Sequence, residues 1–176
     1  MALVNLASPG MRHGRPYATP TCPELEAAVN AVLEQGRVRR APLDGRQAEE
    51  LTEAVARLRT VFEHAHDDLN AAAEKVNELL DELRPTPYLE RHDGEPWHLH
   101  FHSPDQDAAA NWVTGCTVAL ATVLGSGHAS RLGLCSAPDC DRAYVDTSRN
   151  GTRRFCCIAC QNRVKAATHR ARTSHR

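Results

Sequence analysis

Aromatic residues are scarce, 5% of 176 residues, with two Trp, three Tyr and three Phe. A core with so few rings must be built from aliphatic side chains, and abundant alanine favours helices. No apolar run approaches the ~20 residues that a membrane-spanning helix needs, so no membrane contact is expected. The start lacks a charged-then-apolar signal pattern, which leaves a reducing cytoplasm as the expected setting. Internal repeats and low-complexity tracts are absent. There is no Gly-rich phosphate loop and no evident nucleophile, so an enzyme is not expected. Charge of one sign is not lacking overall, since the net charge is −1, but it is unevenly placed. Residues 131–176 hold ten Lys/Arg against three Asp/Glu, whereas residues 1–130 hold 11 against 19. The chain is an acidic body with a basic tip.

What the sequence does have is cysteine, seven in all, five of them within residues 135–160. Cys135 and Cys140 enclose Ser-Ala-Pro-Asp, a turn-forming stretch, and Cys156 and Cys160 enclose three residues, with fifteen between the pairs. Two short-range pairs joined by a hairpin-length spacer are the sequence form of a four-thiolate structural zinc site. Each pair puts two sulfurs on one turn, and zinc, borderline-soft and without d-electron preference, suits a tetrahedron of thiolates. Buried thiols or disulfides are the competing reading. Cys157 competes with Cys156 as third ligand, because Cys157 and Cys160 have ordinary two-residue knuckle spacing. Cys22 falls at a helix start, which can lower a thiol pKa, and Cys116 falls on an apolar helical face.

The run LCSAPDC, the DTSRNG stretch of residues 146–151, Arg153-Arg154-aromatic-Cys and Cys160-Gln161-Asn162-Arg163 together resemble the CGNR zinc-finger family. Gln161 stands where that family's name has glycine. LVNL at residues 3–6 resembles the opening of the ABATE domain that usually precedes such a finger. The resemblance implies a bacterial, stress-related transcription regulator. It also favours Cys156 as ligand, since that residue follows the aromatic Phe155 as the family's cysteine does.

Helical spacing runs from a Thr21–Glu24 capping box to Gly36, along Leu51, Val55, Leu58 and Phe62, and along Leu69, Val76 and Leu80 to Pro85. Before these, the first twenty residues read as a short apolar start and a loop rich in Pro and Gly. Residues 87–102 read as a β-hairpin turning at Asp93-Gly94, and Ser103-Pro104 opens a helix through Trp112, Cys116 and Leu120 to Gly125. The expected fold is α+β: a mostly helical ABATE-like domain with one β-hairpin over residues 1–128, then a small treble-clef-like zinc finger over residues 131–176.

Two surfaces are candidates for binding. Arg163, Lys165, Arg170 and Arg172 lie on a helix anchored by the second cysteine pair, and Arg149, Arg153 and Arg154 lie on the preceding hairpin. Such a cluster releases counterions from phosphates, and arginine forks can read guanine edges, which points to double-stranded DNA. Arg163 has an alternative role supporting the cysteine cage. His98, His100 and His102 alternate along a strand, on the face opposite Leu99 and Phe101, and could hold a second metal or a ligand. The expectation is a zinc-containing, DNA-binding regulator whose N-terminal domain senses a small molecule or metal effector or mediates assembly, for instance as a homodimer. A zinc-stabilised protein- or RNA-binding adaptor, and a metalloenzyme using the strand histidines, are the alternatives.

Overall fold

Aspartate caps punctuate the helical part of the chain. In the computed structural model, which describes residues 1–35, 41–91, 94, 96–101 and 107–174, Asp44 accepts from the Gln47 N–H and the Gln47 side chain returns to the Asp44 N–H. This reciprocal box opens α3 (Gly45–Ala56). Asp68 caps α5 (Leu69–Leu83) and Asp107 caps α6 (Ala108–Gly125) through their side chains. The remaining helices are α1 (Ala2–Ala7), α2 (Glu24–Gln35), α4 (Arg59–His64) and α7 (Ile158–Ser174). Three antiparallel pairs join them: β1 (Gly10–Arg12) with β2 (Arg15–Tyr17), β3 (Tyr88–Glu90) with β4 (His98–His100), and β5 (Leu132–Leu134) with β6 (Ala143–Val145). The α+β reading with a helical N-terminal part holds.

One core gathers Leu3 and Val4 of α1, Val29 of α2, Leu51 and Val55 of α3, Phe62 of α4, Leu79 of α5 and Val113 of α6. Leu132 and Ala143, on the hairpin that leads into the finger, are fully buried in this same core. A separate small cluster holds Cys135, Ala137, Cys140 and Cys160, with Phe155 and Val164 packed around it. The finger is thus rooted in the helical body by its strands and has its own core only around the sulfurs.

Several expectations need correction. The short apolar start is α1, and the stretch read as a loop after it holds the β1–β2 hairpin over residues 10–17. The carbonyl end of α1 is satisfied from outside the helix: Tyr17 Oη donates to Leu6 O and Thr19 Oγ1 to Ala7 O. The single stripe from Leu51 to Phe62 is broken into α3 and α4. Leu58 N–H reaches back only to Val55 O and Val61 N–H only to Leu58 O, three-residue bonds that tighten the turn and redirect α4 towards β5. Ser103-Pro104, expected to open α6, Gly36, expected to end α2, and Asp93 of the expected hairpin turn lie outside the described residues; α6 is described from Ala108, with Asp107 as its cap. By length and composition α6 could cross a membrane, contrary to the absence of such a run in the sequence reading. It packs against α3 and α5, with Val113, Thr114, Thr117 and Leu120 buried.

Candidate metal centre and basic helix

The first cysteine pair closes the β5–β6 hairpin. Cys135 N–H donates to Arg142 O at 2.9 Å, and Asp139, at φ +52°, turns the chain back towards Cys140. The second pair lies at the start of α7, with Cys160 in the first turn. Cys135, Cys140 and Cys160 are buried and Cys156 is half-buried. Their four sulfurs all lie within 4.8 Å of one another. Cys140–Cys156 and Cys156–Cys160 are each 3.8 Å apart, and Cys140–Cys160 is 3.6 Å. A tetrahedron with zinc–sulfur bonds of about 2.3 Å has sulfur–sulfur edges of about 3.8 Å, so the cluster has the dimensions of a four-thiolate zinc site.

The protons fit this donor set. Burial and then the Cys135 sulfur push the Cys156 thiol up, and burial with the Cys140 contact pushes Cys160 up to about 12. Cys140 moves the other way: burial opposes its ionisation, but the backbone N–H groups of His13 and Arg142 outweigh that and lower it. Sulfurs this close cannot all ionise beside one another, and a divalent cation that displaces their protons removes the repulsion. Arg163 lies against Cys160 and favours its thiolate, while Nη2 donates to Pro138 O. Its Nε is buried without a hydrogen-bond partner, a donor that a charged sulfur cluster would satisfy.

Two families match the chain. The CGNR zinc finger matches residues 131–173. The ABATE family, described as "Putative stress-induced transcription regulator", matches residues 3–127, well over half of the chain. The chain belongs to the ABATE family. No curated protein matches it. In this ABATE–CGNR chain Asn162 and Arg163 lie in the second turn of α7, and the arginine braces the first knuckle through Pro138.

The DTSRNG loop is organised by Asp146. Its carboxylate accepts from Ser148 N–H and Arg153 N–H, both at 2.8 Å, and Arg131 reaches across to Ser148 O. Hydrogen bonding by Ser148, then by the Arg153 N–H, holds Asp146 below the ordinary carboxylate range. The seven candidate nucleic-acid residues fall into two groups. Arg153 donates to Phe155 O at 2.8 Å and to Cys156 O, with its guanidinium 5.9 Å from the centre of the Tyr144 ring. Arg153 and Arg163 therefore face the finger's own backbone. Arg149, Arg154, Lys165, Arg170 and Arg172 are exposed. Every residue from 165 to 173 is exposed, and α7 contains no acidic residue.

The histidine hairpin departs from expectation in which face is covered. His98 and His100 have ring centroids 4.6 Å apart, and Tyr88 stacks on His100 at 5.7 Å. Glu90 lies 3.6 Å from His100 Nε2. That face is the half-buried one, whereas Leu89 and Leu99 on the other are 63% and 54% exposed. An apolar strand face ordinarily turns to the core, but here the ring and carboxylate packing around His100 covers the histidine side instead. His102 lies outside the described residues. Among the described residues two groups are compact enough to hold a metal, and neither includes His98 or His100. At Cys22 a hydrogen bond with Glu49, then slight burial, raises the thiol, the opposite of the lowering that a helix start can give.

Sequence reasoning missed the residues that join the two parts. Arg142, 3% exposed at its side chain, donates Nη1 to Asn5 O and Ser8 O at 2.8 and 2.7 Å and Nη2 to Pro9 O at 3.3 Å. The Asn5 side chain pairs with Ala143 like a strand edge, at 2.7 and 2.8 Å. Asp141 accepts from Met11 N–H at 2.9 Å and from Arg142, and Arg59 donates to its carbonyl. Burial would raise Asp141, but the Met11 N–H, Arg142 and Arg59 hold it below the usual range. Gly10, at φ +142°, leaves room for this: a Cβ there would lie 2.1 Å from Asp141 Oδ2. The only signal in the sequence was an Asp-Arg pair directly after Cys140, inside what reads as a spacer.

Proposed function

We propose that this protein is a zinc-holding regulator that binds duplex DNA through α7. In this reading Cys135, Cys140, Cys156 and Cys160 hold one zinc, which supplies no reactive chemistry and fixes the start of α7 against the knuckle. Lys165, Arg170 and Arg172 lie against phosphates, with Arg149 and Arg154 extending the contact from the loop. Arg153 and Arg163 act one step back, holding the finger's shape. The helical body of residues 1–128 senses an effector or mediates assembly.

One observation carries this reading: a helix anchored by Cys160 leaves nine consecutive residues, 165–173, exposed and free of acid. That stretch is about 13 Å long at 1.5 Å per residue, close to the roughly 12 Å width of the major groove. The acidic balance of residues 1–130 repels phosphate and leaves the tip as the face that approaches DNA.

The test is duplex binding across salt, beginning near 50 mM, for the parent and the Arg170→Ala/Arg172→Ala double variant. Each lost phosphate contact flattens the log–log slope by roughly 0.9 and weakens all sequences alike. A base-reading arginine instead costs about 1–3 kcal/mol at its preferred site. An unchanged slope in the double variant removes α7 from the DNA surface. Tighter binding to single-stranded RNA than to duplex DNA puts the adaptor reading in its place.

A further inference from the structure

We propose that His13, Cys156, Cys157 and Cys160 form a second metal site, so that the finger holds a pair of d10 ions bridged by the Cys156 and Cys160 sulfurs. This rests on the four-thiolate reading and extends it. The donor atoms of these four residues all lie within 4.8 Å of one another. Cys156–Cys157 and Cys156–Cys160 are both 3.8 Å, again the edge of a zinc–sulfur tetrahedron. His13 Nε2 lies 3.2 Å from Cys157 Sγ. Zinc–nitrogen and zinc–sulfur bonds of about 2.0 and 2.3 Å put that edge near 3.5 Å, so a shift of a few tenths of an ångström seats an ion.

The donor count closes. Two tetrahedra sharing one edge need six donors: two bridging sulfurs and two outer donors on each side. Cys156 and Cys160 belong to both groups, Cys135 and Cys140 to one, and His13 and Cys157 to the other. Two divalent ions with five thiolates and a neutral imidazole leave one net negative charge. One ion in four thiolates leaves two, so the second ion lowers the charge that the cluster carries.

The fold delivers both outer donors. His13 and Gly14 form a two-residue hairpin loop with φ +56° and +87°, positive at both central positions as a type I′ turn requires. Gly14 N–H donates to Asp139 O at 2.8 Å, pinning this loop to the knuckle. Cys157 directly precedes α7. A cavity of about 350 Å3, lined by Arg12, His13, Tyr17, Cys156 and Cys157 among others, gives an ion a path in. The competing account is local: Cys157 caps α7 and makes one hydrogen bond to His13. It predicts a single ion.

An ion held from residue 13 and residues 156–160 would staple the N-terminal hairpin to the finger. With His13 exposed and Cys157 half-buried, this ion exchanges faster than the enclosed one.

The test titrates full-length protein with zinc chloride and counts ions by native mass spectrometry. Two ions per chain are expected, with the second lost in His13→Asn, which tolerates the left-handed backbone, and in Cys157→Ser. Cadmium NMR of the parent alone covers any variant that does not fold: two signals coupled through shared sulfur are expected. One ion at saturation, or one cadmium signal, overturns the second site and leaves the four-thiolate site standing. No ion at all overturns both. Two ions retained by both variants overturns the assignment of His13 and Cys157.

Discussion

Replacing Arg142 by methionine tests whether the finger and the N-terminal segment are one structure. The guanidinium makes two short bonds, to Asn5 O and Ser8 O, and a longer one to Pro9 O, all near the carbonyl end of α1. A hydrogen bond from a charged donor contributes about 1.5–3 kcal/mol, so the two short bonds set an upper range of about 3–6 kcal/mol. The longer bond adds little. Asp141, the ionic partner, is 33% exposed at its side chain, so water takes over much of that pairing and it is left out. Methionine keeps apolar contact with Tyr17, over whose ring the guanidinium sits at 5.1 Å, and recovers about 1 kcal/mol. The expected loss is about 3 kcal/mol, a large share of the roughly 5–15 kcal/mol that holds a protein folded. Urea unfolding of full-length protein in zinc-containing buffer reads it directly. Arg142→Lys, which keeps the charge but not the fork, should recover less than half of the loss. A methionine variant within about 1 kcal/mol of the parent would show that these carbonyls find water instead and refute the junction's role.

Two further outcomes follow from carboxylates. Asp141 has a depressed folded pKa, so its contribution is fully present above the unfolded value near 3.9 and is lost as pH falls through the folded value. The stability gap between parent and Asp141→Asn, measured by urea midpoints, should therefore be constant down to about pH 5 and close below about pH 4; a gap unchanged at pH 3 rules the pairing out. Asp146→Asn puts an amide NH2 against one of two backbone donors, so hydrogen exchange at Ser148 or Arg153 should quicken by about tenfold or more, and equal protection in both proteins would mean that the loop does not depend on this carboxylate.

What was legible in the sequence was what local spacing encodes. The cysteine pairs gave the four-sulfur cluster because each pair is a turn and the spacer is a hairpin, both short-range features. Helices α2, α3, α5 and α6 followed from apolar spacing, whereas the Asp44 cap of α3 did not. Long-range bonds were not legible. Residues 9–20, rich in Pro and Gly, read as a loop because a three-residue strand leaves no periodicity. What orders β1 and β2 is Asp141 and Arg142, some 130 positions away. His13 was passed over for the same reason: a histidine between Arg12 and Gly14 has no partner until the hairpin meets Cys157. The break at Leu58 was hidden because Val55, Leu58, Val61 and Phe62 keep helical spacing across it, all of them buried.

Charge counting likewise could not separate arginines that hold the finger from those that face outwards, and the separation bounds the proposed DNA contact. Arg131, Arg142, Arg153 and Arg163 direct their guanidinium groups to backbone carbonyls within the protein. Among the described residues of the tip, Arg149, Arg154, Lys165, Arg170 and Arg172 remain exposed for phosphate. Five contacts at roughly 0.9 each put the salt slope near 4.5 for one chain on one duplex, and Arg176, outside the described residues, would add at most about 0.9 more. The whole tip, counted by sequence alone, carries ten basic residues and would allow about twice that. A measured slope near 4 or below fits a single chain bound through α7 and its neighbouring loop. A slope near 9 requires two chains side by side on the duplex, because the four inward arginines cannot leave their carbonyls without loosening the finger that positions α7. Sedimentation of the complex distinguishes these cases, and a single chain with the steeper slope would refute the inward assignment of those four residues.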